Sequence, residues 1–260
     1  MCAPPPAASL PAHAHSPPPA CLPACLPQVK ELLNQQDSVD ASENAGPLAE
    51  IEFWRERSVD LSGIRNQLDD PAVGQIVAAL EYAKSSYLAP FLSLRNLIHR
   101  EAVAAEDNLK FLLCLEEPCQ QLAAAHPRDI PSLLPPILNC IRMVWNISRF
   151  YNTPERLTTL LCKLSNEIIN RCCAVISLPD VFSGDVDAVM AVLRQSIDAG
   201  ERWKELYRFT ALAVQSRSPR PWDFDTSSIF AHIDAFLQRC TDLLEVCEAQ
   251  LQFAPRTPLP

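Results

Sequence analysis

"YNTPERLTTLLCKLSNEIINRC", residues 151–172, carries both a start signal and a period. Thr153 can accept a hydrogen bond from the first free backbone N–H groups, and Pro154 sits where its missing N–H costs nothing. Glu155 meets the positive end of the helix dipole. Leu157, Leu160, Leu161, Leu164, Ile168 and Cys172 then recur every three or four residues, the spacing of one helix face laid on a core. The stretch predicts an α-helix over about 154–175.

The same period runs outward in both directions, almost without interruption from Pro47. "EIEFWRERSVDLSGIRNQL", residues 50–68, sets Leu48, Ile51, Trp54, Leu61, Ile64 and Leu68 on one broad face. Glu50, Glu52, Arg55, Glu56 and Arg57 read as its solvated side. "DDP" at 69–71 ends that helix, because proline disfavours α geometry in the residue before it. A second helix is read from Val73 to Ile98 with a kink at Pro90, a third over about 101–124 bent at Pro118, and a fourth over about 131–150 through Ile137, Ile141 and Trp145. Beyond the fifth, at 154–175, a sixth covers about 185–215. A seventh follows the capping residues of "DFDTSS". No stretch alternates as a strand would. The expected fold is all-α: elongated helical bundles of about seven helices, with a disordered Pro-rich N-terminal arm.

Composition agrees with a folded chain. Of 260 residues, 48% are hydrophobic and 20% charged, while only five are glycine, so turns needing positive φ must be few. A net charge of −9 with no Lys/Arg cluster argues against nucleic acid as a partner. The absence of any long apolar run argues against a membrane span. The eleven cysteines fall mostly at apolar helical positions, where a reduced thiol acts as a small buried hydrophobe. Residues 1–27 hold nine prolines and no Asp, Glu, Lys or Arg, the signature of a disordered arm. Residues 28–47 read as a linker containing a short helix at "QVKELLNQQ", residues 48–254 as the helical domain, and residues 255–260 as a disordered tail.

No pattern of catalytic, cofactor-binding or metal-ligating residues emerges. The glycines never form a phosphate cradle ahead of a lysine. His99, His126 and His232 read as ordinary surface or half-buried histidines. "CLPAC" at 21–25 has no second ligand pair at zinc spacing, and Cys172 and Cys173 project about 100° apart on a helix.

Six segments in order resemble the N-terminal tail region of axonemal dynein heavy chains: "EIEFWRERSVDLSGIRNQL", "AKSSYLAPFLSLRNLI", "EDNLKFLLCLEEPC", "DIPSLLPPILNCIRMVWNIS", "YNTPERLTTLLCKLSNEIINRC" and "SSIFAHIDAFLQRCTDLLEVCEAQLQF". The resemblance covers about residues 47–254, and residues 1–46 and "APRTPLP" do not share it. It implies a stack of helical bundles that holds heavy chains together and carries intermediate and light chains. Microtubule association is indirect, the location is the cytoplasm, cytoskeleton and ciliary axoneme, no cofactor is needed, and the motor ATPase lies far downstream. The family-motif core would comprise Phe53, Trp54, Tyr87, Trp145, Tyr151 and Trp203. The last helix has many apolar positions for one stripe (Ile229, Phe230, Ile233, Phe236, Leu237, Leu244 and Leu251). Phe236 and Leu244 are therefore the expected contact surface for self-association or for another tail subunit. The runner-up reading is a free-standing helical adaptor, or a truncated product, competing for dynein tail partners.

Overall fold

The computed structural model describes residues 45–179, 185–217 and 220–253, and among them there are helices and turns but no strand. The arm, most of the linker and the C-terminal tail lie outside the described residues. Helix α1 is Pro47–Leu68, α2 is Pro71–Tyr82 and α3 is Leu88–Leu112. A 3-10 turn at Leu113–Leu115 leads into α4, Glu116–Ala123, and a second at Pro127–Asp129 leads into α5, Ile130–Ile147. Then come α6, Pro154–Cys173, α7, Val186–Arg217, and α8, Thr226–Phe253.

Local signals set most of these boundaries. Thr153 caps α6 by accepting from the Arg156 N–H, with Pro154 in the first turn. Asp70 caps α2 through the Ala72 N–H at 2.8 Å, and Asp225 caps α8 through the N–H groups of Ser227 and Ser228. Two boundaries differ from the reading of the sequence. The break between the second and third helices falls at residues 83–87, where Lys84 takes a φ of 50°, and α3 then runs straight through residues 98–101. Pro90 and Pro118 consequently sit in the first turns of α3 and α4, where proline is tolerated, and the helix read over 101–124 is broken just before Pro118 by the 3-10 turn at Leu113–Leu115. The prolines that do lie inside a helix are Pro135 and Pro136 of α5, both on the exposed side, where water can take the carbonyls they leave free.

The packing order is simple. α1 lies on α3, α4 and α6; α5 lies on α4 and α7; α8 lies across α6 and α7. One hydrophobic cluster runs through these contacts, from Ile51 and Trp54 to Cys240 and Cys247. α7 and α8 approach closely at Gly200, where an added Cβ would stand 2.6 Å from Leu237 Cδ2. Near this crossing the Trp203 indole N–H donates to Ser165 Oγ at 3.0 Å, and that hydroxyl donates to the Ile229 carbonyl at 2.9 Å, so three helices share one polar lock. Tyr207 and Phe230 pack edge-on to each other beside Trp203.

Candidate functional site

The stretch from Glu50 to Arg57 departs most from its sequence reading. Glu50 is only 3% exposed, because it shares a helix face with Trp54, Arg57 and Leu61 at spacings of four, three and four residues. Its partner is Lys163 of α6, also 3% exposed, with Nζ 2.5 Å from Glu50 Oε2. The other carboxylate oxygen accepts from the Trp54 indole N–H at 2.8 Å and from the Tyr151 hydroxyl at 3.0 Å. Three donors therefore hold a carboxylate that would otherwise be too costly to bury. The Trp54 and Tyr151 rings meet edge to face, and the Arg156 guanidinium lies over the indole while donating to the Phe150 carbonyl at 2.6 Å. Burial, followed by the charge of Glu50, pushes the Tyr151 hydroxyl well above its ordinary range.

Arg57 is buried as well, its guanidinium 6.0 Å from the Phe53 ring centroid, so of the residues read as solvated only Glu52 and Glu56 are freely exposed. Arg55 pairs with Glu116 of α4 at 2.7 Å and with Glu52, and the hydrogen bond it donates to Glu116 is the main reason its pKa is raised. Glu52, Arg55 and Glu116 line an open groove of about 430 Å³ between α1 and α4, whose lining contains no serine, cysteine or histidine. The cluster can clamp helices through its ion pairs, Glu50 to Lys163 of α6 and Arg55 to Glu116 of α4.

The histidines take structural partners. His99 Nε2 lies 3.1 Å from Asp69 Oδ1, His232 Nδ1 lies 3.2 Å from Asn166 Oδ1, and His126 Nδ1 accepts from the Arg128 N–H. The hydrogen bond from Arg95 holds the Asp69 carboxyl below its usual value. Among the described residues no group of His, Cys, Asp and Glu has the arrangement of a metal site, and no helix is long and apolar enough to cross a membrane. The "CLPAC" segment lies outside the described residues.

Of the residues expected to form the family-motif core, Trp54, Trp145, Tyr151 and Trp203 are buried, and Phe53 is half-buried against the core. Tyr87 is 76% exposed, since it sits at the turn between α2 and α3, where none of the other described helices covers it. Phe236 is a correction of the opposite kind. At 4% exposure it belongs to the chain's own core, because α8 is covered on two sides by α6 and α7 and so buries more than one stripe. A charge placed at Phe236 therefore tests the core, not a partner. Leu244 is half-buried and packs against the same core. The buried Glu50–Lys163 pair went unread although the helical spacing around both residues shows it: Lys163 sits among Leu160, Leu161 and Leu164.

Residues 26–257 match the family model described as dynein heavy chain, N-terminal region 1, a match that begins inside the segment read as arm and linker and ends beyond residue 254. The dynein-1-beta heavy chain of the flagellar inner arm I1 complex of Chlamydomonas reinhardtii is 88% identical over 90% of this chain. Human dynein axonemal heavy chain 2 is 50% identical over 53% of it, and the Chlamydomonas dynein-1-alpha heavy chain of the same complex is 32% identical over 85%. The chain spans 5% of the length of the two algal relatives and 3% of the human one. The family-model match over residues 26–257, with 88% identity to the algal heavy chain over 90% of this chain, establishes that the chain belongs to the axonemal dynein heavy chains, as their N-terminal tail region.

Proposed function

We propose that the chain is a non-catalytic tail module that joins dynein heavy chains and carries intermediate and light chains during assembly of ciliary dynein arms. Microtubule association is then indirect, through the assembled arm, and the working location is the axoneme after synthesis in the cytoplasm. The observation that carries this reading is the sealed polar centre. The most deeply buried acid–base pair among the described residues, Glu50 with Lys163, is closed over by Trp54 and Tyr151. A reacting pair needs access and a convergent pocket, whereas a sealed one fixes how helices cross. The relatives, named as axonemal and flagellar heavy chains, support the location.

Affinity purification of the tagged chain from flagellated cells, followed by mass spectrometry, tests the proposal. Other dynein heavy chains with intermediate and light chains should co-purify, and the chain should fractionate with axonemes while failing to pellet with purified microtubules alone. Recovery of no dynein subunit, with the chain absent from axonemes, would sink it.

A further inference from the structure

The joint where α3, α4 and α5 meet gathers three cysteines. Cys114 lies in the 3-10 turn at Leu113–Leu115, Cys119 in α4, and Cys140 on α5, against which that turn packs. The Cys140 thiol donates to the Cys114 carbonyl at 3.3 Å, so its sulfur stands at the residue that carries the other thiol. The Cys114 thiol donates to the Phe111 carbonyl at 3.0 Å, and its sulfur lies within hydrogen-bonding reach of Cys140. Both residues are half-buried, which leaves a small neutral oxidant access, whereas Cys119 is fully buried. Adjacent cysteines on one helix, such as Cys172 and Cys173, point apart. Cys114 and Cys140 instead approach each other from positions 26 residues apart, which suits a cross-link.

We propose that Cys114 and Cys140 form a peroxide-oxidisable dithiol, a modification site whose product is a disulfide pinning the turn between α3 and α4 to α5. The surroundings set the order of steps. Burial, and then the charge of Cys140, push the Cys114 thiol up to about 12, so Cys114 keeps its proton while Cys140 reacts. The Cys140 thiolate attacks one oxygen of hydrogen peroxide and the O–O bond breaks. The other oxygen leaves as hydroxide and is protonated to water, and Cys140 becomes a sulfenic acid. The Cys114 sulfur then attacks the Cys140 sulfur, the S–O bond breaks, and the hydroxyl leaves as a second water with the Cys114 proton. Two thiols have given up two electrons, and the peroxide has taken them. Cys119 stays out of the exchange, because its buried thiol is also raised to about 12, by burial and then by the charges of Cys140 and Glu167. Thiols held protonated react slowly, so the site responds to sustained oxidant. The bond sits beside Glu116, which α4 offers to Arg55 of α1, and so stiffens the joint that α1 leans on. This site stands apart from the tail-module reading, since it asks only for the folded chain.

The reduced full chain, treated with a concentration series of hydrogen peroxide, then alkylated, digested and analysed by mass spectrometry without reductant, reads the bond directly. Wild type should lose two hydrogens in a peptide pair that joins Cys114 to Cys140, and dithiothreitol should restore both thiols. Cys114→Ser and Cys140→Ser should each abolish the pair. Cys114→Ser should also leave a sulfenic acid on Cys140, which dimedone captures. Cys173→Ser, at the exposed thiol of α6, should form the bond as wild type does. The oxidised wild type should melt at a higher temperature than the reduced chain, because the cross-link restricts the unfolded state. Cys114→Ser given the same peroxide should show no such rise, which separates the bond from oxidation elsewhere. Equal circular dichroism of the reduced variants excludes misfolding as the cause. Undiminished alkylation of Cys114 and Cys140 at peroxide concentrations that oxidise Cys173 would overturn the proposal. So would a bond from Cys140 to Cys119 or to a second chain in its place, or oxidation of either thiol that dithiothreitol fails to reverse.

Discussion

Lys163 and Glu50 show how one pair of residues can hold two distant parts of the chain in register. Removing one partner of a buried ion pair is costly because the other is left as an uncompensated charge, while removing both charges is far milder. Lys163→Met should therefore destabilise the chain by about 3–5 kcal/mol. Adding Glu50→Gln to it should recover more than half of the loss, since glutamine still accepts from Trp54 and Tyr151. Urea unfolding of the two single variants and the double variant measures the coupling, and strictly additive losses would deny it. The sequence contained the clue at this scale. Both residues sit on apolar faces, and only the habit of reading charge as solvated hid them.

At the scale of elements, the helices with capping residues were legible because a cap is a local hydrogen bond: Thr153 before α6 and Asp225 before α8 act on backbone groups two or three residues away. The crossing of α7 and α8 was not legible, because Gly200 meets Leu237 through tertiary contact alone. Gly200→Ala gains roughly 1 kcal/mol of helix propensity but forces its Cβ against a well-packed leucine, an overpacking that costs about 1–3 kcal/mol. Net destabilisation is expected. Gly63→Ala meets nothing within 4 Å and should stabilise α1 by about 0.5–1 kcal/mol. Thermal melts of the two variants should shift in opposite directions; a shift in the same direction would show that the crossing has room to relax.

Across the whole molecule, burial of titratable groups sets the alkaline limit. Burial pushes the Cys114, Cys119 and Cys240 thiols up to about 12 and Cys172 to about 11, against an ordinary value of 9.0, and raises Tyr151 well above 10.0. Each folded value lies above the unfolded one, so the protonated folded chain is favoured. That contribution is whole below about pH 9 and is lost as pH rises toward 12, because the unfolded chain releases these protons first. Chemical denaturation should give a stability plateau near neutrality and a steady fall above pH 9. Replacing Cys119 and Cys240 with alanine or valine should flatten the fall, and an unchanged slope would place its origin elsewhere.

Periodicity, caps and the scarcity of glycine were enough to determine an all-α chain and most helix boundaries, because each is a property of neighbours along the backbone. The family was readable too, since the order of several long segments is itself sequence. What only the tertiary structure decided is which apolar faces meet. Tyr87 and Phe236 both look like residues in need of cover, and the three-to-four spacing is the same whether a helix face is covered by its own chain or left open. Phe236 is covered because α6 and α7 fold back on α8, and Tyr87 is bare because none of the described helices folds back over the α2–α3 turn. Burial is a relation between segments far apart along the chain, and a local pattern cannot state it.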